Sequence, residues 1–182
     1  MNFEWIQVKI TNGDYMKTTI LITTAENRAI SLVPLTLSHL PEFYELVHNE
    51  TITRFMKFDT AQNLDQARDI MQEYLDGVSF LIQTEDGKCM GVFSFKRGTH
   101  EHQYTLSAFL HPAYQSKGIM KAVVSFMLPY AKDTLHAELL DAYILSSNIG
   151  SCRLVEQSGF TVSQEILLDG CDTVLKVYCK QY

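Results

Sequence analysis

No run of about eighteen uninterrupted apolar residues occurs in this 182-residue chain, so a membrane-spanning helix is not expected. Basic residues are in the minority, 15 Lys and Arg against 21 Asp and Glu, giving a formal charge of −6 and a pI near 5.4. That balance argues against broad phosphate-backbone binding, and no nucleic-acid partner is expected. Cysteine is sparse and scattered. Cys89, Cys152, Cys171 and Cys179 form no C-x-x-C pair and match no histidine spacing, which argues against a zinc ribbon or a disulfide framework. Reduced thiols in a cytoplasmic protein are the expectation. The start, Met1-Asn2-Phe3-Glu4-Trp5, has an early acid and no basic segment ahead of an apolar core, so no secretory signal is expected.

What is present is ordinary globular chemistry: 46% hydrophobic and 20% charged residues. A chain of this length buries roughly 70% of its unfolded surface and needs neither metal nor disulfide to hold it. The periodicities divide it as follows. Residues 1–17 form an N-terminal extension, with a hairpin expected around Asn12-Gly13, and residues 18–182 form one domain. Thr18 to Thr23 and Ala29 to Pro34 are β-branched runs expected to pair. A helix follows from about Thr36 with Ser38 as its N-cap, then a short mixed helix over Asn49 to Phe58. An amphipathic helix over Asn63 to Leu75 is stopped by Gly77. Val78 to Thr84, Cys89 to Lys96 and Gln103 to Leu110 make an antiparallel meander by their short loops. The pattern then changes to helix (Lys117 to Leu128), strand (Ala137 to Leu145), helix (Ser151 to Gln157) and two strands (Phe160 to Leu168, Thr173 to Cys179). Strand, helix, strand at this spacing implies one parallel crossover in a mixed sheet, so the fold class is α+β.

Two segments carry chemistry. The first, His111-Pro112-Ala113-Tyr114-Gln115-Ser116-Lys117-Gly118-Ile119-Met120-Lys121, joins a strand to a helix that is apolar nearly all round. The first turn of a helix leaves N–H groups without internal partners, and its dipole favours an anion. Gly118 permits close approach to that backbone, while Lys117 and Lys121 add positive charge, so residues 115–121 suit a phosphate or pyrophosphate. Taken alone, Gly118 equally serves as relief for a tight turn. The second segment, Asn148 to Phe160, reads as a helix with Asn148 as N-cap and Gly159 as the left-handed residue past its end.

Together the two segments resemble the GNAT (Gcn5-related N-acetyltransferase) superfamily. Gln115-Ser116-Lys117-Gly118-Ile119-Met120 is similar to its [QR]-x-x-G-x-[GA] pyrophosphate loop. Asn148, Ser151, Leu154, Glu156, Gly159 and Phe160 are similar to its N-x-x-[SA]-x-x-[LV]-x-E-x-x-G-F helix. Leu110-His111-Pro112 and Asp141-Ala142-Tyr143-Ile144 resemble the RimJ/RimL-like branch, which includes ribosomal-protein N-terminal acetyltransferases.

The resemblance implies the acyl-CoA N-acyltransferase fold, a mixed, mostly antiparallel sheet flanked by helices. It implies acetyl-CoA as co-substrate, no metal, and direct transfer to a primary amine of a protein N-terminus or a small molecule. It implies that Phe109, Leu110 and His111 pair through their backbones with the pantetheine arm, and that N–H groups from Gln115 to Met120 hold the pyrophosphate, with Lys121 alongside. Asn148 and Ser151 would reach the pantetheine or the reacting centre. Final strands of the family commonly contribute to dimers, so the resemblance also admits a homodimer.

Three departures matter. Met120 stands where Gly or Ala is common, and Val155 stands where many members carry a tyrosine general acid, which makes Ser151 the candidate proton donor to the thiolate. Thr105 stands where the branch often carries a glutamate suited to the general base. The remaining nearby candidates for that base are Glu101, His102 and Asp141. We name Asn148, Ser151 and Glu101 as catalytic candidates, and keep as the alternative a CoA-binding regulatory protein of the same fold without turnover. Of the other groups, Cys152 is expected to be a buried structural thiol and Glu156 to make a structural ion pair. Phe55, Met56 and Phe58 are expected in the core, with an acceptor pocket as the other reading.

Overall fold

Period-two alternation in the strands sorts apolar side chains onto two faces of one sheet, and each face is covered by its own helices. The computed structural model describes residues 19–26, 28–168 and 173–182, so the expected hairpin at Asn12-Gly13 and Cys171 lie outside the described residues. The strands are β1 (Ile20–Thr23), β2 (Ala29–Pro34), β3 (Val78–Thr84), β4 (Cys89–Arg97), β5 (Gln103–Leu110), β6 (Leu139–Leu145), β7 (Thr161–Leu167) and β8 (Val174–Gln181). The helices are α1 (Leu40–Val47), α2 (Glu50–Thr53), α3 (Leu64–Leu75), α4 (Ile119–Asp133) and α5 (Ile149–Gln157). None is long and apolar enough to cross a membrane. The strand order is β1-β2-β3-β4-β5-β6-β8-β7, and every pairing is antiparallel except β5 with β6. This is the mixed α+β sheet expected, with its one parallel crossover running through α4.

One face carries Phe80, Ile82, Phe93, Phe95, Leu106, Leu110 and Leu140, packed under Ile119, Val123, Val124 and Met127 of α4 and Cys152 and Val155 of α5. The other carries Leu81, Val92 and Phe109 under Phe43 and Leu46 of α1 and Ala67, Met71 and Tyr74 of α3. Phe43, Tyr74 and Phe109 meet edge to face, with centroid distances of 5.6, 6.0 and 6.4 Å. Such pairs add about 0.5–1.5 kcal/mol each beyond area burial, and here they pin the C-terminal end of β5 to the helices above it. Beside that triangle a polar rung crosses three strands. Ser79 and Ser94 share a hydrogen bond of 2.6 Å, and the Tyr74 hydroxyl lies 3.2 Å from Ser107 Oγ.

Local differences from the sequence expectation have identifiable causes. Ser38 does not cap a helix. Residues Leu37–His39 form a single 3₁₀ turn closed by Thr36 and His39, whose Nδ1 accepts the Thr36 N–H at 3.1 Å, and Pro41 then opens α1. Helix α4 runs past Leu128 to Asp133 although Pro129 removes one N–H from its ladder. Tyr130 and Ala131 beyond the proline are buried, and that burial holds the extra turn. Met56 and Phe58 pack against the α1/α3 core, as expected of core residues.

Gly91 of β4 sets how closely β5 can lie. A Cβ there would stand 2.2 Å from the Phe109 carbonyl oxygen and 2.9 Å from Leu110 Cα, both rigid backbone atoms. Gly91→Ala should therefore push β5 away and destabilise the fold by about 1–3 kcal/mol, read as a lowered urea midpoint.

Candidate functional site

Strands β5 and β6 pair only at Gln103–Leu139, Tyr104–Leu140 and Thr105–Asp141. Beyond that rung β5 stays on β4 as far as Leu110, and β6 stays on β8 as far as Leu145, so the two halves of the sheet diverge. The edge of β5 over Leu106–Leu110 then has no strand partner among the described residues. The His111 N–H is bonded to the Met90 carbonyl at 2.8 Å, so by alternation the main-chain groups of Leu110 and Ala108 face the opening instead. The Leu110 carbonyl accepts Gln115 Nε2 at 2.9 Å. An opening of this shape, walled by unpaired strand edge, suits an extended amide-bearing chain laid in as a strand.

The two motif segments end up on the two rims of this opening. After β5, His111 caps a 3₁₀ turn over Pro112–Tyr114 with its ring, Nδ1 accepting the Ala113 N–H at 3.2 Å. Ser116 (φ 58°) and Gly118 (φ 69°) both take left-handed conformations, which turn the backbone into α4. Helices α2, α3 and α5 are each capped by an asparagine side chain, from Asn49, Asn63 and Asn148. Helix α4 begins at Gly118 with no side-chain cap. Its first intrahelical bond is Ala122 N–H to the Gly118 carbonyl, and nothing lies within 4 Å of where a Gly118 Cβ would be. The first turn thus lacks a side-chain cap, and the space over Gly118 is open, at the positive end of a fifteen-residue helix. Lys117 Nζ folds back to the Ala113 carbonyl at 2.6 Å, Lys121 is exposed, and the side chains of Ile119 and Met120 pack into the core. Those two residues therefore offer their backbones alone.

On the other rim, Asn148 caps α5 as expected, its side-chain oxygen accepting the Ser151 N–H at 3.3 Å, and Gly159 is left-handed at φ 84°. Ser151 sits in the first turn, half-buried, beside Cys152, which is buried as expected. Val155, 1% exposed, is core. Glu156 does not make the expected ion pair. It accepts the Tyr178 hydroxyl at 2.8 Å, and burial together with Cys152 and Glu156 raises the Tyr178 pKa, keeping that hydroxyl a donor.

Glu101 is not brought to these groups. It lies in the β4–β5 turn, at the opposite end of β5 from Gly118, with its side chain 91% exposed and 3.7 Å from His102 Nε2. The acid that does lie at the apex is Asp141. Asp141 is among the base candidates of the sequence; its neighbours Gln103 and Cys179 are not among the candidate site residues. The polar alternation of Gln103, Thr105 and Ser107 along an otherwise apolar strand was the available signal, since it marks a face that greasy packing leaves uncovered.

The sequence matches the acetyltransferase (GNAT) domain family over residues 30–161, and the chain belongs to that family. It is a GNAT N-acetyltransferase. An L-methionine sulfoximine/L-methionine sulfone acetyltransferase of Salmonella typhimurium strain LT2 is 29% identical over 129 residues, covering 68% of this chain and 72% of that protein. Among solved structures, spermidine N-acetyltransferase of Vibrio cholerae in complex with CoA and spermine superposes with a TM-score of 0.73 at 14% identity. It covers 84% of this chain and 95% of that one. RimL, an α-N-protein acetyltransferase of ribosomal L7/L12, in complex with coenzyme A, gives 0.70 at 17% identity over 84% and 93%. At such identities the superpositions speak for the fold.

The cap assignment is testable apart from any activity. Asn148→Ala should cost about 1 kcal/mol in urea unfolding, whereas Asn148→Asp, which keeps the acceptor oxygen, should cost far less.

Proposed function

We propose that the chain transfers the acetyl group of acetyl-CoA directly to a primary amine, on a protein N-terminus or a small molecule. The observation that carries this reading is the uncapped N-terminus of α4 at Gly118, standing on one rim of an opening whose other rim is Asn148 and Ser151 of α5. The free space over Gly118 fits a pyrophosphate, which the amides from Gln115 to Met120 would hold with Lys117 and Lys121 adding charge. The pantetheine arm would lie along β5, meeting the main-chain groups of Leu110 beside Phe109 and His111. That track ends where β5 and β6 close, at the rung of Thr105 and Asp141.

The protein's tasks are then three. It places the thioester at the apex, offers a donor to the oxygen that gains charge, and returns a proton to the departing sulfur. Ser151, in the first turn of α5 on the same rim as Asn148, would be the donor to the sulfur. Since Val155 is core and carries no proton, the serine replaces a tyrosine acid rather than assisting one. RimL supports a protein N-terminus as acceptor and the Salmonella relative supports an amino-acid-like one, so both belong in the assay.

Gly118→Glu places a carboxylate in the phosphate seat and should weaken acetyl-CoA binding by about 100-fold or more, roughly 2.8 kcal/mol, by calorimetry. Gly118→Asn, which tolerates the left-handed backbone without charge, should bind close to wild type. Thiol release from acetyl-CoA should appear with at least one amine in a panel of methionine sulfone, spermidine and N-terminal peptides. Binding without release on the whole panel would leave a CoA-binding protein without turnover.

A further inference from the structure

Resting on the acetyl-transfer reading, we infer that Asp141 of β6 is the group that takes the proton from the acceptor amine, in place of an acid on β5. Thr105 and Asp141 are direct partners in the parallel pairing, so their side chains leave the same face of the sheet, one strand apart. Adjacent strands are about 4.8 Å apart, so a carboxylate on β6 reaches nearly the same space as one on β5 would. That face is identified by its contacts. It is the α1/α3 face, since Ser107, two residues along β5, meets the Tyr74 hydroxyl. Helices α4 and α5, with the phosphate seat and Ser151, pack on the opposite face. An acyl group threaded through the opening from the α4 side therefore presents its carbonyl to an amine arriving from the Asp141 side.

Asp141 is only 4% exposed, and a buried carboxylate must be held by donors. Gln103 Nε2 donates to Oδ2, and the Cys179 thiol donates to Oδ1 at 3.3 Å. Each oxygen keeps a further lone pair, and among the described residues no lysine or arginine is bonded to either. The nearest cation along the same rung is Lys96, which is engaged by Glu73 at 3.1 Å and lies 3.9 Å over the Tyr74 ring. Asp141 is therefore held by neutral donors rather than by an ion pair. Beyond Asp141 the face stays open, with Tyr143 39% exposed and Lys57 Nζ 4.5 Å over its ring.

The acceptor enters as an ammonium and gives one proton to the Asp141 carboxylate, which later returns it to solvent. The freed lone pair forms the N–C bond at the thioester carbonyl, and the C–S bond breaks. The nitrogen's second proton is lost as the thiolate gains one, the latter delivered through Ser151, so the products are the amide and the free thiol of CoA.

The test uses the full chain, acetyl-CoA and an amine that supports turnover. Asp141→Asn should keep acetyl-CoA affinity within about twofold while kcat falls by about 100-fold or more, the usual range for losing a general base. Adding Thr105→Glu to that variant should recover at least about tenfold of kcat, an effect no structural role for Asp141 produces. Retained kcat in Asp141→Asn, loss of cofactor binding together with turnover, or a double variant no faster than the single one would each overturn the assignment. Wild-type protein that binds acetyl-CoA yet acetylates nothing would instead overturn the parent reading, and this one with it.

Discussion

The arrangement of this molecule depends on a parallel pairing that stops early. β5 is committed to β4 and β6 to β8 along their whole lengths, and the two half-sheets can follow each other only from Gln103 to Thr105. Antiparallel ladders on both sides are the stronger claims, and sheet twist carries the halves apart once the parallel rungs end. Everything functional is placed relative to that divergence. Because α4 follows β5 and α5 follows β6, each half-sheet delivers one helix N-terminus to its own rim.

The energetics of the two rims differ in kind. On the α5 rim the Ser151 amide is satisfied internally, with the Asn148 side chain as acceptor. On the α4 rim the first turn has no side-chain cap, an arrangement that costs stability unless the rest of the helix is secured. It is secured: Ile119, Val123, Val124, Met127 and Ala131 are all buried, and the Tyr182 hydroxyl reaches back to the Leu128 carbonyl at 2.8 Å beside Pro129. A helix held this firmly along its body can leave its first turn to a ligand. The opposite face of the sheet is divided in the same spirit. α1 and α3 cover the β3–β5 side with aromatic packing, while Asp141 and Tyr143 lie on the same face of β6.

Much of this was legible in the residues. Asn148 and Gly159 announce helix ends because their side-chain acceptor or absent Cβ solves a local backbone problem, and such problems are written within a few residues. The meander strands and the crossover followed from alternation and loop length. What sequence left obscure was set by distant partners. Glu101 is adjacent to β5 in the chain yet belongs to the far end of it, and only strand register shows that Asp141, some forty residues on, is the acid beside Thr105. Glu156 looks like half of an ion pair until β8 brings Tyr178 beneath it. Ser38 resembles a cap, but the earlier pair of Thr36 and His39 closes the turn first.

Mechanically, the two plates share ladder bonds only along that short line, and the join lies at the bottom of the slot. A linear chain bearing its own amides would add ladder bonds above the join and tie the plates at a second height. Ligand stabilisation by mass action would then extend beyond the lining of the slot. Amide protons of β8 and β7, which touch no part of such a ligand, would exchange more slowly in its presence, because the plate that carries them would be tied at two heights.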